Sequence, residues 1–168
     1  VNLINRKTSL DIFCHFAGRF YDIKSNYENN IEESKNKFFD YIKENNLSDK
    51  VRYHDFIYDE EKKNIFNDIN FFIFPTNYVY EVQPLSIIEA MSYGSIIITC
   101  KHGAITSMIE DGKNGYFVKY NKNKEIFDKI IHLSKNIDEF NSLSRNVIQT
   151  FEEKFMSNNY SNKILDLM

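Results

Sequence analysis

EVQPLSIIEAMSYG, Glu81 to Gly94, is the stretch from which the rest of the chain can be read. A carboxylate, Glu81, leads into a short loop holding Gln83 and Pro84. An apolar-periodic segment follows, with a second carboxylate, Glu89, in its second turn. Pro84 suits the first turn of a helix, where a missing N–H costs nothing and a fixed φ is already helical. Leu85, Ile88, Ala90 and Met91 are expected to form the inward stripe, and Gly94 to stop the helix just past its last turn. Two apolar runs of strand length flank it. Phe71 to Thr76 (FFIFPT) is closed by Pro75, and Ser95 to Cys100 (SIIITC) is β-branched. Strand, loop, helix, strand reads as a βαβ unit.

In a parallel βαβ unit the loop after the first strand lies at the carboxyl edge of the sheet, where open α/β sheets bind ligands. The amides of Leu85, Ser86 and Ile87 would point out of the helix start with the positive end of its dipole, so an anion is the expected guest. An ionised carboxylate offers two acceptor oxygens and can take two hydroxyl donors side by side, which suits the vicinal diols of a ribose or a hexose. Anion hole and flanking carboxylates together suggest a sugar nucleotide site. The plainer alternative is that Glu81 is merely exposed and Glu89 merely favours the early turns of its helix.

These residues resemble the signature of retaining glycosyltransferases of family 4, whose GT-B fold has two Rossmann-like domains. FFIFPTNYVYE resembles the family's strand ending in Pro-Ser or Pro-Thr before the first glutamate. SIIITCKHGAITSMIEDGKNGYFV resembles its next strand, a short helix and an Asp-Gly-x-x-Gly turn. The likeness is good from Lys50 to about Val118 and looser elsewhere. It implies that Glu89 hydrogen-bonds the ribose hydroxyls of the nucleotide donor and that Glu81 lies near the donor sugar. The loop amides of Val82, Gln83, Pro84 and Leu85, continued by Ser86, would hold the diphosphate and sugar, although Pro84 itself carries no N–H. The chain departs from the pattern at Val82, where the family usually has Gly and where a φ above zero would be costly. It departs again at Ile105-Thr106-Ser107, which replaces the family's Ile-Pro-Glu and to which no role is carried over.

Composition sets bounds. With 168 residues and 42% of them hydrophobic, the chain is expected to form one domain with a sizeable core. Two isolated cysteines, Cys14 and Cys100, suggest a reducing, cytoplasmic compartment. A net charge of −3 gives no electrostatic case for nucleic acid. No run of about 18 apolar residues and no signal peptide are apparent. Asn46-Leu47-Ser48 and Asn159-Tyr160-Ser161 fit the N-glycosylation pattern but carry no meaning in a cytoplasmic protein.

In chain order, Val1 to Ser9 reads as a polar lead-in and Asp11 to Ala17 as a first strand entering Gly18. Gly18-Arg19, with Lys24 beyond, superficially resembles the Gly-Arg…Lys motif with which the family clamps donor phosphates. The strand count instead favours Asp11 to Gly18 as the family's second strand, with Arg19 and Lys24 in an exposed loop. Asn26 to Glu33 reads as a loop or helix lead-in. Ser34 to Asn46 is an amphipathic helix with Phe38, Tyr41 and Ile42 on one face. Val51 to His54 is a short strand, and by resemblance the loop Asp55 to Tyr58 lies beside the nucleotide base. Asp59 to Asp68 starts with an acidic turn. Lys62 or Lys63 on it is a candidate phosphate contact, or simply part of a solvated face. His102 is a candidate ligand neighbour, or an exposed loop residue. Gly112 to Gly115 is turn chemistry before the strand Tyr116 to Val118. Asn123 to Leu133, Asp138 to Phe151 and Met156 to Met168 are expected helices, the last with Tyr160, Ile164 and Leu167 as apolar residues short of cover.

The expectation is therefore a Rossmann-like, three-layer α/β domain with a parallel sheet, a single domain over residues 1–168 forming the carboxy-terminal half of a GT-B fold. The activity implied is retaining transfer of a hexose-type sugar from a nucleotide-sugar to a glycan or lipid-linked acceptor in cell-surface polysaccharide biosynthesis. Partners would be the nucleotide-sugar, the acceptor, the missing amino-terminal domain and, for the full-length protein, the inner face of a membrane. No cofactor beyond the donor and no metal-ligand cluster is called for. Two alternatives stand beside it: a non-catalytic nucleotide-binding or scaffold module, and a GT-B-like sugar-nucleotide epimerase.

Overall fold

A computed structural model describes residues 4, 8–20, 28–78 and 81–156, with side chains 28–30 left aside. Lys24, residues 79–80 and residues 157–168, which include the expected last helix with Tyr160, Ile164 and Leu167, lie outside the described residues. The chain forms two compact units, residues 1–65 and 66–168.

In the first unit, β1 (Cys14–Ala17) and β2 (Val51–His54) pair in parallel, from Cys14 opposite Val51 to Ala17 opposite His54. The strand expected from Asp11 begins only at Cys14, because β2 offers four residues to pair with. The connecting helix α1 (Glu28–Glu44) starts earlier than the Ser34 expected, its acidic residues being well tolerated near a helix start. It ends at Asn46, which takes φ +53°. There the Leu47 amide bonds the Ile42 carbonyl (2.9 Å) and the Asn46 amide that of Lys43 (3.1 Å), a Schellman stop closed by buried Leu47. Ile42 is buried and Phe38 meets Phe16, Phe20 and Tyr53 edge-on, but Tyr41, expected on the same face, is 53% exposed. His15 and His54 stack at 5.2 Å with ring nitrogens 3.0 Å apart, and the other His54 nitrogen lies 3.1 Å from Glu61. α2 (Asp59–Asp68) begins with Asp59, Glu60 and Glu61, as its acidic turn predicts, and carries the chain into the second unit.

The second unit holds a three-stranded parallel sheet in the order β3 (Phe71–Phe74), β4 (Ile96–Thr99), β5 (Gly115–Phe117). The crossovers are α3 (Leu85–Ser92) and α4 (Ile105–Met108), and α5 (Asn123–Lys135) and α6 (Ile137–Lys154) complete it. Every residue of β4 is buried. A parallel strand covered on both faces reads as a continuous apolar run, which is what SIIITC is. Ile97 joins a cluster with Phe66, Ile87, Ala90, Met91, Ile105, Met108 and Val147. Ile96, one step along the pleat, joins Tyr116, Leu133 and Leu143. Thr99, buried in the strand, donates its hydroxyl to the Phe74 carbonyl at 2.7 Å, which satisfies a polar group that burial would otherwise penalise.

The helix at the centre of the sequence analysis forms where expected, with one correction to its inward face. Ile87, Ala90 and Met91 are fully buried, whereas Leu85 is 72% exposed. Leu85 sits two residues, about 200° of helix, from Ile87, so a stripe centred on Ile87 and Met91 leaves it outside. The stop at Gly94 is as expected. Gly94 takes φ +72°, its amide bonds the Met91 carbonyl (3.0 Å) and the Ser95 amide that of Ala90 (3.1 Å).

Candidate functional site

β3 ends at Phe74, and the chain leaves the sheet edge through Pro75 and Thr76, whose Oγ1 accepts from the Tyr78 amide at 3.1 Å. The Glu81 amide donates to the Tyr78 carbonyl at 3.0 Å. Glu81 is half-buried, Val82 and Gln83 are exposed, and Pro84 is buried at φ −69°, ψ 113° as the residue capping α3. Pro84 has no side chain that can cap, so among the described residues no side-chain cap meets the first amides of α3, which an α-helix leaves without internal partners. They open outward at the positive end of the helix dipole. Glu89, half-buried, lies one turn further along. Glu81 to Ser86 thus form the loop and first helical residues that lead to Glu89.

Val82 settles differently from the expectation. It is not among the residues with positive φ, so a valine here carries no left-handed strain. It is instead 72% exposed, as is Leu85, and the two set an apolar rim at the start of α3.

In the turn after β4, which the sequence marks through His102, the feature that sequence reasoning missed is the approach of Gly103 to the Glu81 loop. Because β3 and β4 are parallel neighbours, this turn leaves the sheet at the same edge as the Glu81 loop. Gly103 takes φ +49°, and a Cβ placed on it would fall 2.3 Å from the Glu81 carbonyl oxygen. The Ala104 amide donates to the Val82 carbonyl at 3.2 Å. His102 is half-buried in this turn, and its carbonyl accepts from the Ile105 amide at 3.1 Å. A glycine just past a strand at the ligand-binding edge is the signal that would have pointed here, since it marks a close backbone approach.

The candidate phosphate contacts lie in the other unit. Arg19, exposed, pairs with Asp55 at 3.3 Å and holds its guanidinium 3.9 Å above the Phe56 ring. Lys62 is half-buried on α2, and Lys63 pairs with Glu60 at 2.6 Å. A cavity of about 310 Å³ in that unit is lined by Phe16, Phe20, Phe38 and Tyr53 with Gly18 and Arg19. Both cysteines are free, and burial pushes both thiols above their ordinary range, so neither is a ready thiolate. Among the described residues no cluster of three or more His, Cys, Asp or Glu could hold a metal, and no helix is long and apolar enough to cross a membrane.

A family model described as glycosyl transferases group 1 matches residues 1–150. The alpha-monoglucosyldiacylglycerol synthase of Acholeplasma laidlawii is 36% identical over 66 residues, which cover 39% of this chain and only 16% of that protein. Among solved structures, Anabaena HepE in complex with UDP-glucose superposes with a TM-score of 0.73 at 13% identity, covering 95% of this chain and 50% of that one. The C-terminal domain of LpcC, a group 1 family glycosyl transferase from Francisella tularensis, gives 0.68 at 17% identity, covering 86% and 87%. These likenesses show the fold, a Rossmann-like α/β arrangement found in GT-B glycosyltransferases.

Proposed function

The chain belongs to the group 1 glycosyl transferases, and from that premise we propose that it is the carboxy-terminal, donor-binding half of a retaining GT-B enzyme of family 4. The observation that carries the proposal is the uncapped start of α3, whose first amides, those of Leu85 and Ser86, follow Glu81 and precede Glu89 along the chain. A donor diphosphate fits there. The amides and the helix dipole stabilise the charge that gathers on the leaving nucleotide as the bond to the sugar breaks, and they are already in place when it does. Glu89 takes the ribose diol and Glu81 the sugar hydroxyls, each as a two-oxygen acceptor.

The relatives support this reading by what they are named for. HepE holds UDP-glucose, the LpcC domain is itself a C-terminal one, and the A. laidlawii synthase is named for a glucosylated diacylglycerol. A hexose-type donor and a glycan or lipid-linked acceptor at the inner face of a membrane, in cell-surface polysaccharide assembly, are in keeping with them. Acceptor contacts would come from an amino-terminal domain outside residues 1–168, so this chain alone is expected to transfer little or no sugar. The scaffold alternative drew on the cost of a left-handed valine, and Val82 bears no such cost.

The test is calorimetric titration of the chain with UDP, GDP, UDP-glucose, UDP-N-acetylglucosamine and GDP-mannose, beside the Glu89→Gln variant. Binding of one nucleotide is expected, weakened roughly tenfold or more in the variant, the size of effect given by losing hydrogen bonds to a charged acceptor. Equal affinity in the variant would overturn the ribose role of Glu89. No binding by any probe would overturn the donor site in this chain.

A further inference from the structure

The turn after β4 meets the Glu81 loop through backbone atoms at two consecutive residues on each side. The ideal Cβ of Gly103 falls 2.3 Å from the Glu81 carbonyl oxygen and 3.9 Å from that of Val82. One residue on, the Ala104 amide bonds the Val82 carbonyl at 3.2 Å. The turn itself is held firmly. The Thr106 hydroxyl donates back to the Gly103 carbonyl at 3.0 Å, the Ser107 hydroxyl to that of Ala104 at 2.8 Å, and Ile105 and Met108 are buried in the core. At its far end the Glu81 loop is tied to α3 through buried Pro84, whose carbonyl accepts from the Ile87 amide at 3.1 Å. Around Glu81 itself the bonds are those from the Glu81 amide to the Tyr78 carbonyl at 3.0 Å and from the Ala104 amide to the Val82 carbonyl just given. The fixed side of this contact is the turn, and the loop is laid against it.

We infer that Gly103 is a positioning residue for Glu81, so that the absence of a side chain in this turn sets how the site tells the donor's sugar from its nucleotide. Any Cβ at 103 needs the Glu81 carbonyl to retreat by about 1 Å, and shifts of that size are enough to spoil a site. The Glu81 carbonyl carbon is bonded to the Cα that carries the side chain, so a retreat that draws this Cα with it re-aims the carboxylate. The amides of Leu85 and Ser86 belong to α3, whose inward face is fixed in the core by Ile87 and Met91, and they stay put. The consequence is selective: sugar contacts loosen while diphosphate contacts hold. The inference rests on the donor-site reading above and deepens it.

The experiment compares Gly103→Ala and Gly103→Asn in the chain, titrated with UDP-glucose against UDP and with GDP-mannose against GDP. Asn tolerates a positive φ but still carries a Cβ, so equal behaviour of the two variants identifies the contact, and not the backbone angle, as the cause. The expected result is a loss of about tenfold for the nucleotide-sugar and under about threefold for the free diphosphate, with the loss shrinking below about threefold when Glu81→Gln is already present. A merely structural glycine would weaken both ligands alike and add fully to Glu81→Gln, and that result would overturn the inference. Carbonyl and amide NMR shifts give a ligand-free reading. Gly103→Ala should move the Glu81 and Val82 carbonyls and the Ala104 amide and leave α3 unmoved, and unmoved Glu81 and Val82 carbonyls would overturn it. A wild-type chain that binds none of the four probes overturns the donor reading instead, and the NMR shifts then decide the role of Gly103 by themselves.

Discussion

Asn114 reaches across to Thr150, its Nδ2 donating to the threonine hydroxyl at 3.1 Å, and so ties the turn before β5 to α6. Only 2% exposed, Asn114 also donates to the Met108 carbonyl at 3.1 Å and accepts from the Glu110 amide at 2.7 Å. The Thr150 hydroxyl in turn donates to the Asn146 carbonyl at 2.7 Å. One buried amide thereby closes off α4, which carries the Gly103 turn, against α6.

Asn114→Ala strands the Met108 carbonyl and the Glu110 amide in a partly dry setting. It should destabilise the second unit by roughly 2–4 kcal/mol, the cost of leaving two such groups unpaired. Urea unfolding followed by far-UV circular dichroism checks this. A loss below about 0.5 kcal/mol, the level of an ordinary surface change, would show that the network contributes nothing beyond its packing.

Gly94 is required by its stop geometry and by what lies beside it. It takes φ +72°, and a Cβ there would sit 2.9 Å from Ser144 Oγ and 3.0 Å from Ile148 Cδ1, while Ser144 Oγ donates to the Gly94 carbonyl at 2.8 Å. Gly94→Ala should cost roughly 2–3 kcal/mol, left-handed strain and crowding together. A shift of the thermal midpoint is the readout, with Ser92→Ala on the same helix as the control that should move it little.

Two apolar substitutions on α3 separate its true inward face from the expected one. Ile87→Ala should destabilise by about 2–5 kcal/mol because the cavity it leaves is enclosed. Leu85→Ser, at a site 72% exposed, should stay within about 0.5 kcal/mol. Parallel denaturant titrations of the two variants decide it. Comparable losses at both positions would mean that Leu85 is covered in solution.

The junction of β5, α5 and α6 should give the protein an acid and an alkaline edge. His132 Nε2 lies 2.7 Å from one Glu139 oxygen, and the Tyr116 hydroxyl donates to the other at 3.1 Å. The hydrogen bond from His132, followed by that from Tyr116, holds the Glu139 carboxyl below its ordinary value of 4.5. A depressed carboxyl contributes stability that is present above that ordinary value and is lost as pH falls through the lower folded one. Burial, then the bond to Glu139, pushes the Tyr116 phenol from 10.0 to about 12. That contribution is intact below 10.0 and is lost as pH rises toward about 12. Glu139→Gln should flatten the acid limb of a stability–pH profile and lower the Tyr116 titration seen by ultraviolet absorbance. An unchanged acid limb would mean that Glu139 is not ion-paired in solution.

The sequence by itself determined the elements around α3, because each is specified by residues close in the chain. Pro75 removes the donor that would extend β3, Pro84 and Gly94 bracket the helix, and the short β-branched run after it reads as a strand. The identity of the candidate site was legible for the same reason. Glu81 to Ser86 and Glu89 share one loop and one helix, so the candidate residues are neighbours along the chain. The limits of that reading were also local. Periodicity could not fix which of Leu85 and Ile87 turns inward, since one helical face is chosen by what packs against it, here Val147 of α6 with Ile97 and Ile105.

The tertiary structure decided what distance along the chain conceals. Glu81 and Gly103 are brought together by the parallel pairing of β3 with β4, and Asn114 and Thr150 by the docking of α6. Neither contact leaves a trace in hydrophobic pattern, because one is made by a backbone oxygen against a missing side chain and the other by a single buried amide. Val82 shows the same division. Its chemistry as a residue suggested strain, and only the backbone path of the folded loop, which passes it at an unstrained φ against the Ala104 amide, removed that strain.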